Sequence, residues 1–449
     1  MADVDDLLTG ARMALAERRW TEARWGFAAA RQLGALNAED MAGLAEAEWW
    51  LGEIDGSLRA FEEAYQLLVD EGELHVRAAG RLAMEIGYFW SLRGEEALGS
   101  GWFRRAHRLL ESETDCVEYG YLRSVAIDEA IAEADFDAAI NLAEELLALS
   151  RRHGDETLAS VALAGEGIAM IKQGQVSAGM SVLDEAMLPV VAGRVEAAYA
   201  GNIYCQLMQV CQELADLRRA EQWTDATERW CDGFESAVMF MGICRIHRAQ
   251  LMQRRGNWAR AEAEAREVCA TLASMNVSAV AESYYQLGEV SRLRGELQSA
   301  AHAYREAHLR GRDPQPGQAL LRLAEGQIEI AVRDVAAALG VAVDDLARAP
   351  LWAAQTEVEL AAGNLEVARQ AASRLTDTAE LYGSSGLVVE ATLARGRVAL
   401  ADGNTALAIT ELQSACRQWQ ELGARYHVAR TRVLLAIAHR STGNTGAAE

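Results

Sequence analysis

Small and apolar residues recur along this chain at fixed distances from a turn residue. In three segments a glycine is followed five positions later by Ser, Gly or Ala and, four positions beyond that, by an aromatic residue. These segments begin at Gly52, Gly94 and Gly295. Glycine ends a helix because it adopts the left-handed conformation cheaply, and a small residue lets two helices cross closely. The pattern therefore predicts antiparallel helix pairs, with an A helix before each turn and a B helix after it.

The turn residue recurs throughout the sequence. Successive turns are separated by 31 to 42 residues, and most separations are close to 40. Regular spacing of this kind is typical of helical repeat proteins, in which each repeat buries its apolar face against the next. The predicted turn residues are Arg18, Gly52, Gly94, Ala134, Gly174, Ala215, Gly256, Gly295, Gly326, Gly363, Gly403 and Gly443.

One segment also matches the tetratricopeptide (TPR) repeat consensus. The matching residues are Tyr284, Leu287, Gly288, Ala300, Tyr304 and Ala307. The period here exceeds the 34 residues of that repeat, so we expect longer helices or longer loops. We predict an all-α, TPR-like right-handed superhelical solenoid of about eleven to twelve antiparallel helix pairs.

The shortest spacing lies between Gly295 and Gly326, where the segment 311–318 contains two of the four prolines. Gly311 is expected to end a helix and Pro316 to begin the next one. We predict that residues 1–449 form a single solenoid, with sub-arms 1–310 and 317–449 joined at the 311–316 connection. Lesser breaks are expected at Pro189 and Pro350.

Charge and cysteine content narrow the functional classes. The net charge is −23, with 66 acidic and 43 basic residues, so the chain should repel phosphate backbones and we expect no direct nucleic-acid binding. The seven cysteines are irregularly spaced, which favours reduced thiols in the cytoplasm. The sequence has neither a secretory signal pattern nor an apolar run of about 18 residues, so we expect a cytoplasmic protein that does not enter membranes.

No motif in the sequence carries catalytic chemistry. There is no HExxH, no GxSxG and no calcium-binding loop, and the histidine spacings fit no metal site. Gly165 and Gly167 in AGEGIAM lack the strand and the Gly-Lys-Ser/Thr of a phosphate loop, and we interpret them as helix-packing glycines. We therefore expect a protein that is not an enzyme and has no catalytic residue, metal or cofactor.

The remaining candidate is a binding surface. In a TPR-like array the A helices line the concave side, and spacing from the small residue of helix A selects the positions that face inward. We predict that a small-molecule effector or a protein segment binds there; the competing interpretation is that these side chains only solvate the concave face. The candidate residues are Tyr121, Asp128, Asn202, Gln209, Gln212, Tyr285, Glu289 and Arg292.

Nearly the whole chain resembles the TPR-like region of large actinobacterial LuxR-type transcriptional regulators, similar in plan to the maltose-activator class. The resemblance lies in WWLGEIDGSLRAFEEAYQLL, CQLMQVCQELADLRRAEQWTDATERWC, ESYYQLGEVSRLRGELQSAAHAYREAHLRGRDPQPGQALLRLAEGQ and RYHVARTRVLLAIAHRSTGNTGAAE. It implies a cytoplasmic regulator whose solenoid senses a ligand or partner while a C-terminal helix-turn-helix binds promoters. The sequence lacks that domain, so DNA contact is expected only through a segment outside it.

Two alternatives stay open at this stage. The chain could instead be a free-standing TPR scaffold for a protein partner, and homodimer formation is compatible with either function. The repeat count places Gly443 at the twelfth turn and Ala448 at its crossing point. We therefore expect residues 440–449 to be frayed or held by a neighbour, and the chain to be the sensory part of a longer protein.

Overall fold

The computed structural model describes residues 4–34, 36–72 and 75–442, which fold into 23 α-helices and no strand. The A helices are α1 (Val4–Ala16), α3 (Ala38–Leu51), α5 (Val76–Leu92), α7 (Val117–Ala132), α9 (Glu156–Lys172), α11 (Ala197–Glu213), α13 (Val238–Arg254), α15 (Val277–Leu293), α17 (Gly317–Ala324), α19 (Asp345–Ala362), α21 (Ser385–Ala401) and α23 (Arg425–Ser441). The B helices are α2 (Trp20–Leu33), α4 (Ile54–Asp70), α6 (Glu96–Leu110), α8 (Phe136–His153), α10 (Val176–Val191), α12 (Leu217–Cys231), α14 (Trp258–Thr271), α16 (Leu297–Leu309), α18 (Ile328–Val341), α20 (Leu365–Tyr382) and α22 (Thr405–Glu421). The predicted all-α, TPR-like solenoid is confirmed.

Each predicted turn residue up to Gly403 separates an A helix from its B helix. Every one of them within the described residues has a positive φ, and Gly443 lies outside that range. Three are not glycine: Arg18, Ala134 and Ala215 have φ values of 59°, 60° and 53°. A residue with a Cβ pays about 1–2 kcal/mol for this conformation, so helix packing must hold these three turns in place.

The small residue five positions after each turn lies where the two helices cross. At Gly179 an added Cβ would stand 2.5 Å from the carbonyl oxygen of Gly167 on the partner helix, and at Gly165 it would stand 2.6 Å from Ile127. This confirms the packing interpretation of Gly165 and Gly167. The crossing residues are all buried: Ala23, Ser57, Gly99, Ala139, Gly179, Ala220, Ala261, Ala300, Ala331, Ala368 and Ala408.

The shortened repeat results from a short A helix. Gly311 has a φ of 89° just after α16, and α17 begins at Gly317, directly after Pro316, as predicted. Helix α17 has only 8 residues, against 17 in α15. Of the lesser breaks expected around Pro189 and Pro350, the first is confirmed, because α10 ends at Val191, two residues after Pro189. The second is wrong, because Pro350 lies inside α19.

The solenoid is wound tightly enough for successive superhelical turns to touch. The indole of Trp20 donates to the carbonyl oxygen of Ser236 at 3.1 Å. The hydroxyl of Ser236 in turn donates to the carbonyl oxygen of Trp50 at 2.9 Å. Further along, Tyr382 donates to the carbonyl oxygen of Lys172 at 2.8 Å. These partners are 186 to 216 residues apart, which is about five repeats, so about five helix pairs complete one turn.

Aromatic side chains fill the seam between the first two superhelical turns. Trp50 stacks on Trp20 with ring centroids 5.1 Å apart and on Phe234 at the same distance. Phe240 lies 5.6 Å from Trp50 and 5.8 Å from Trp49. We call these five residues the aromatic clasp. Such pairs contribute about 0.5–1.5 kcal/mol beyond their burial, so the clasp resists unwinding.

Candidate functional site

The A helices form the inner layer of the solenoid, where neighbouring A helices contact each other along the chain from α5 to α23. Side chains also meet between A helices two or three repeats apart, on α5, α7 and α11. The hydroxyl of Tyr88 on α5 donates to Asn202 on α11 at 3.2 Å, and the amide of Gln206 on α11 lies 3.4 Å from Asp128 on α7. The concave face is therefore narrow here. We call this group the axial cluster; it comprises Arg81, Glu85, Tyr88, Tyr121, Asp128, Glu196, Tyr199 and Asn202.

Arg81 lies at the centre of the axial cluster. Its guanidinium pairs with Glu85 at 3.1 Å and with Glu196, which directly precedes α11. It also lies 4.9 Å from the ring centroid of Tyr121, which stacks on Tyr199 with centroids 4.7 Å apart. A planar guanidinium favours such combined ion-pair and ring contacts. One cation thus joins α5 to α7 and α11.

Carboxylates around the axis have raised pKa values. Reduced hydration raises the pKa of Asp128 to about 6 and that of Glu46, on α3, to about 7. Both side chains reach solvent, but protein surrounds them on most sides and restricts their hydration. Burial also raises the pKa of Glu85, against the opposing effect of Arg81. Groups of this kind change charge near neutral pH and can exchange a proton when a ligand binds.

A second polar group, on α15, α16, α19, α21 and α23, is dominated by closed ion pairs. Glu357 accepts from Arg397 at 2.8 Å and from Arg430 at 2.7 Å, and these contacts lower its pKa against the effect of burial. Glu289 accepts from Arg292 at 2.7 Å and from the hydroxyl of Tyr304. These charges are already satisfied within the protein, so this group contributes mainly to the order of the fold.

The predicted site residues do not form one site. Tyr121, Asp128 and Asn202 meet in the axial cluster, as described above. Gln209 is exposed and donates to Glu213 at 3.0 Å within α11. The amide nitrogen of Gln212 is buried and finds no hydrogen-bond partner among the described residues. Three more belong elsewhere: Glu289 and Arg292 to the second polar group, and Tyr285 beneath the guanidinium of Arg312, at 4.3 Å.

The sequence analysis missed Arg81, Glu85, Tyr88 and Tyr199. All four are polar or aromatic residues on A helices, which is the signal that selected the other candidates. Arg81, Glu85 and Tyr88 lie on α5, which contributed none of the predicted residues, and the contacts of Tyr199 on α11 depend on the winding of the solenoid. No group of three or more His, Cys, Asp or Glu side chains within residues 4–442, as far as described, could hold a metal ion.

Lowering the pH is expected to destabilise the protein through His247. This side chain is 5% exposed, and burial lowers its pKa to about 4, so it is neutral in the folded state. Its contribution to stability is complete above the unfolded pKa of about 6.5 and is lost as the pH falls towards 4. Between pH 7.5 and pH 5 the cost is about 2 kcal/mol.

Denaturant unfolding of wild type and His247→Gln at the two pH values measures this cost as the difference between their pH dependences, because His427, Glu46 and Asp128 contribute to both proteins. His247→Gln should remove most of it, whereas His107→Gln, on the exposed face of α6, should leave the wild-type pH dependence intact. Equal pH dependence in wild type and His247→Gln contradicts the assignment.

Comparison with known proteins adds little beyond the fold. No protein-family model matches the sequence, and no curated protein matches it. Among solved structures, the whole chain aligns with 85% of a chain in the crystal structure of the APC/C hetero-tetramer Cut9-Hcn1, with 12% identity and a TM-score of 0.47. Yeast Tom70 aligns over 96% of both chains, with 13% identity and a TM-score of 0.36. No helix in the described ranges has both the length and the apolar character needed to cross a bilayer.

Proposed function

We propose that this chain is a sensory binding solenoid, the regulatory region of a LuxR-type transcriptional regulator, and that its axial cluster binds the effector. The observation that carries this proposal is the meeting of α5, α7 and α11 around Arg81, with two stacked tyrosines and several carboxylates. A small polar ligand or an extended peptide fits such a narrow, mixed surface better than a large folded partner does. The LuxR-type assignment itself rests on the sequence resemblance.

Binding at this place has a mechanical consequence. A ligand that contacts α5, α7 and α11 together binds best at one particular winding of the solenoid. It therefore shifts the population towards that winding. The size of the shift is set by the difference between its affinity for that winding and its affinity for other windings. The helices that follow, which pack on the first superhelical turn, carry the change along the chain to an attached effector domain.

A thermal-shift screen followed by titration calorimetry tests this proposal. Sugars, nucleotides, amino acids and short peptides are suitable first probes. Tyr88→Phe and Asn202→Ala remove one axial hydrogen bond, and each should weaken binding of any hit by about tenfold. Gln209→Ala, an exposed position on α11, is the matched control and should leave affinity unchanged.

The same variants separate the proposal from its rival. A free-standing scaffold that binds a folded partner on its outer surface should be insensitive to Tyr88→Phe and Asn202→Ala. If every hit or partner binds these variants with wild-type affinity, the axial cluster is not the binding site.

A further inference from the structure

A cavity lies between successive superhelical turns, away from the axial cluster. Its volume is about 860 Å³, within the usual range for small-molecule sites. One wall comes from α10, the α11–α12 turn and the end of α13, and the opposite wall from the α20–α21 and α22–α23 connections. We call it the inter-turn cleft. A molecule bound in it touches two turns of the solenoid at once.

The charges of the inter-turn cleft are unevenly paired. Arg219 lies 3.5 Å from Asp184 and 3.8 Å from Asp216, and Arg255 pairs with Glu221. Arg254 differs from these. It is half-buried, yet it makes no hydrogen bond or ion pair with any described residue. Burial lowers the pKa of Arg254, and Glu390 offsets this only in part. A guanidinium withdrawn from water without a contacting carboxylate is costly, and a bound anion would offset that cost.

One other cation and one anion lie at the rim. Arg218 and Glu421 are exposed, and neither makes an ion pair among the described residues. Their charges cancel and are screened by solvent. The cleft lining carries four basic and four acidic residues and is neutral overall, and Arg254 is its half-buried cation that contacts no carboxylate among the described residues.

Two helices begin at the cleft without a side-chain cap. At α21 the hydroxyl of Ser384 donates to the carbonyl oxygen of Leu214 rather than accepting from its own helix. At α23 the preceding residue, Ala424, offers no capping group. The free N–H groups at these two helix starts are hydrogen-bond donors for an anionic ligand.

The cleft also has an apolar part. Val176 and Met180 contribute from α10, Leu214 and Leu217 from the α11–α12 turn, and Leu251 from α13. Side chains of this kind hold the hydrocarbon part of a ligand and do not compete for its charge.

We propose that the inter-turn cleft binds an organic anion with an apolar body, whose anionic group contacts Arg254 and whose body lies against α10 and α13. The ligand joins α10–α13 to the α20–α21 and α22–α23 connections, so it fixes the spacing between successive superhelical turns. This site is independent of the axial cluster and of the function proposed for it.

Calorimetry with three probes tests the proposal. Octanoate carries a carboxylate and an apolar chain, octylamine has the same chain with a positive charge, and inorganic phosphate has charge without a chain. Octanoate should bind the whole protein at pH 7.5 and raise its melting temperature. Octylamine and phosphate should bind at least about tenfold more weakly, because each lacks one of the two required features.

Three variants locate the site. Arg254→Met keeps an unbranched apolar stem and removes the charge, and it should weaken octanoate about tenfold or more. Ser177→Trp fills the exposed wall of the cleft without altering Arg254 and should abolish binding. Arg260→Met, an exposed arginine on α14 outside the cleft, is the matched control and should bind as wild type does.

Several results would overturn the proposal. They are the absence of octanoate binding, equal binding of octylamine or phosphate, and equal affinity of Arg254→Met and Arg260→Met. Tyr88→Phe in the axial cluster should leave octanoate binding unchanged, so failure at one site is distinguishable from failure at the other.

Discussion

Replacing Trp50 by alanine is expected to lower the free energy of unfolding by about 3–5 kcal/mol, which is the usual cost of truncating a buried tryptophan and leaving a cavity. Trp50 is 2% exposed and contacts Trp20, Trp49, Phe234 and Phe240. Two of these partners belong to the next superhelical turn. The loss should therefore also loosen α12 and α13, which lie five repeats away in the sequence.

Hydrogen exchange resolved by helix measures this long-range effect. Repeat arrays do not always unfold in one step, so a single melting temperature is insufficient. In Trp50→Ala, amide protection should fall in α12 and α13 as well as in α2 and α3. Trp25→Ala is the matched control, because Trp25 is 67% exposed and its removal should cost less than about 0.5 kcal/mol. Loss of protection confined to α1–α4 would show that the turns do not pack on each other.

Two glycine-to-alanine substitutions should change stability in opposite directions. At Gly179 the new Cβ would stand 2.5 Å from the carbonyl oxygen of Gly167 and 2.7 Å from Ile171. Because the first obstacle is backbone, α9 and α10 must move apart, at a cost of about 1–3 kcal/mol. The gain in helix propensity, at most about 1 kcal/mol, offsets this only in part.

Substitution of Gly101 is expected to change stability in the opposite direction. It is an exposed position in α6, and an added Cβ there meets no atom within 4 Å. Gly101→Ala should therefore stabilise the protein by about 0.5–1 kcal/mol. Chemical denaturation of both variants gives the comparison. A stabilising Gly179→Ala would contradict close crossing of α9 and α10.

The repeat architecture could be predicted because its determinants are local. A turn residue and a crossing residue five positions later are fixed by the geometry of one helix pair, and they recur even where the turn residue is Ala134 or Ala215. The sequence could not predict the winding. The winding is the sum of the angles between successive repeats, and each angle depends on small differences in packing. A small error in each angle, added over five repeats, would separate Trp50 from Phe234.

The composition of the candidate site could not be predicted in full, because it also depends on the winding. Tyr121, Asp128 and Asn202 were found because each lies on the inner face of its own helix. That they meet Arg81 and Tyr199 depends on how α5, α7 and α11 converge. Glu289 and Arg292 were correctly placed on an A helix, but their spacing of three residues lets them pair with each other and with Tyr304. A polar residue on an inner face is thus not by itself free to bind a ligand.

A double-mutant cycle on Tyr121 and Tyr199 tests the convergence of the A helices most directly. The two rings lie on α7 and α11, with centroids 4.7 Å apart, and neither helix is the sequence neighbour of the other. Tyr121→Leu, Tyr199→Leu and the double variant are unfolded with denaturant, and the cycle cancels the separate hydrogen bond from Tyr121 to Asp155. We predict a coupling energy of about 1 kcal/mol. Additive effects, within about 0.3 kcal/mol, would mean that the inner face is open and that the axial cluster does not form.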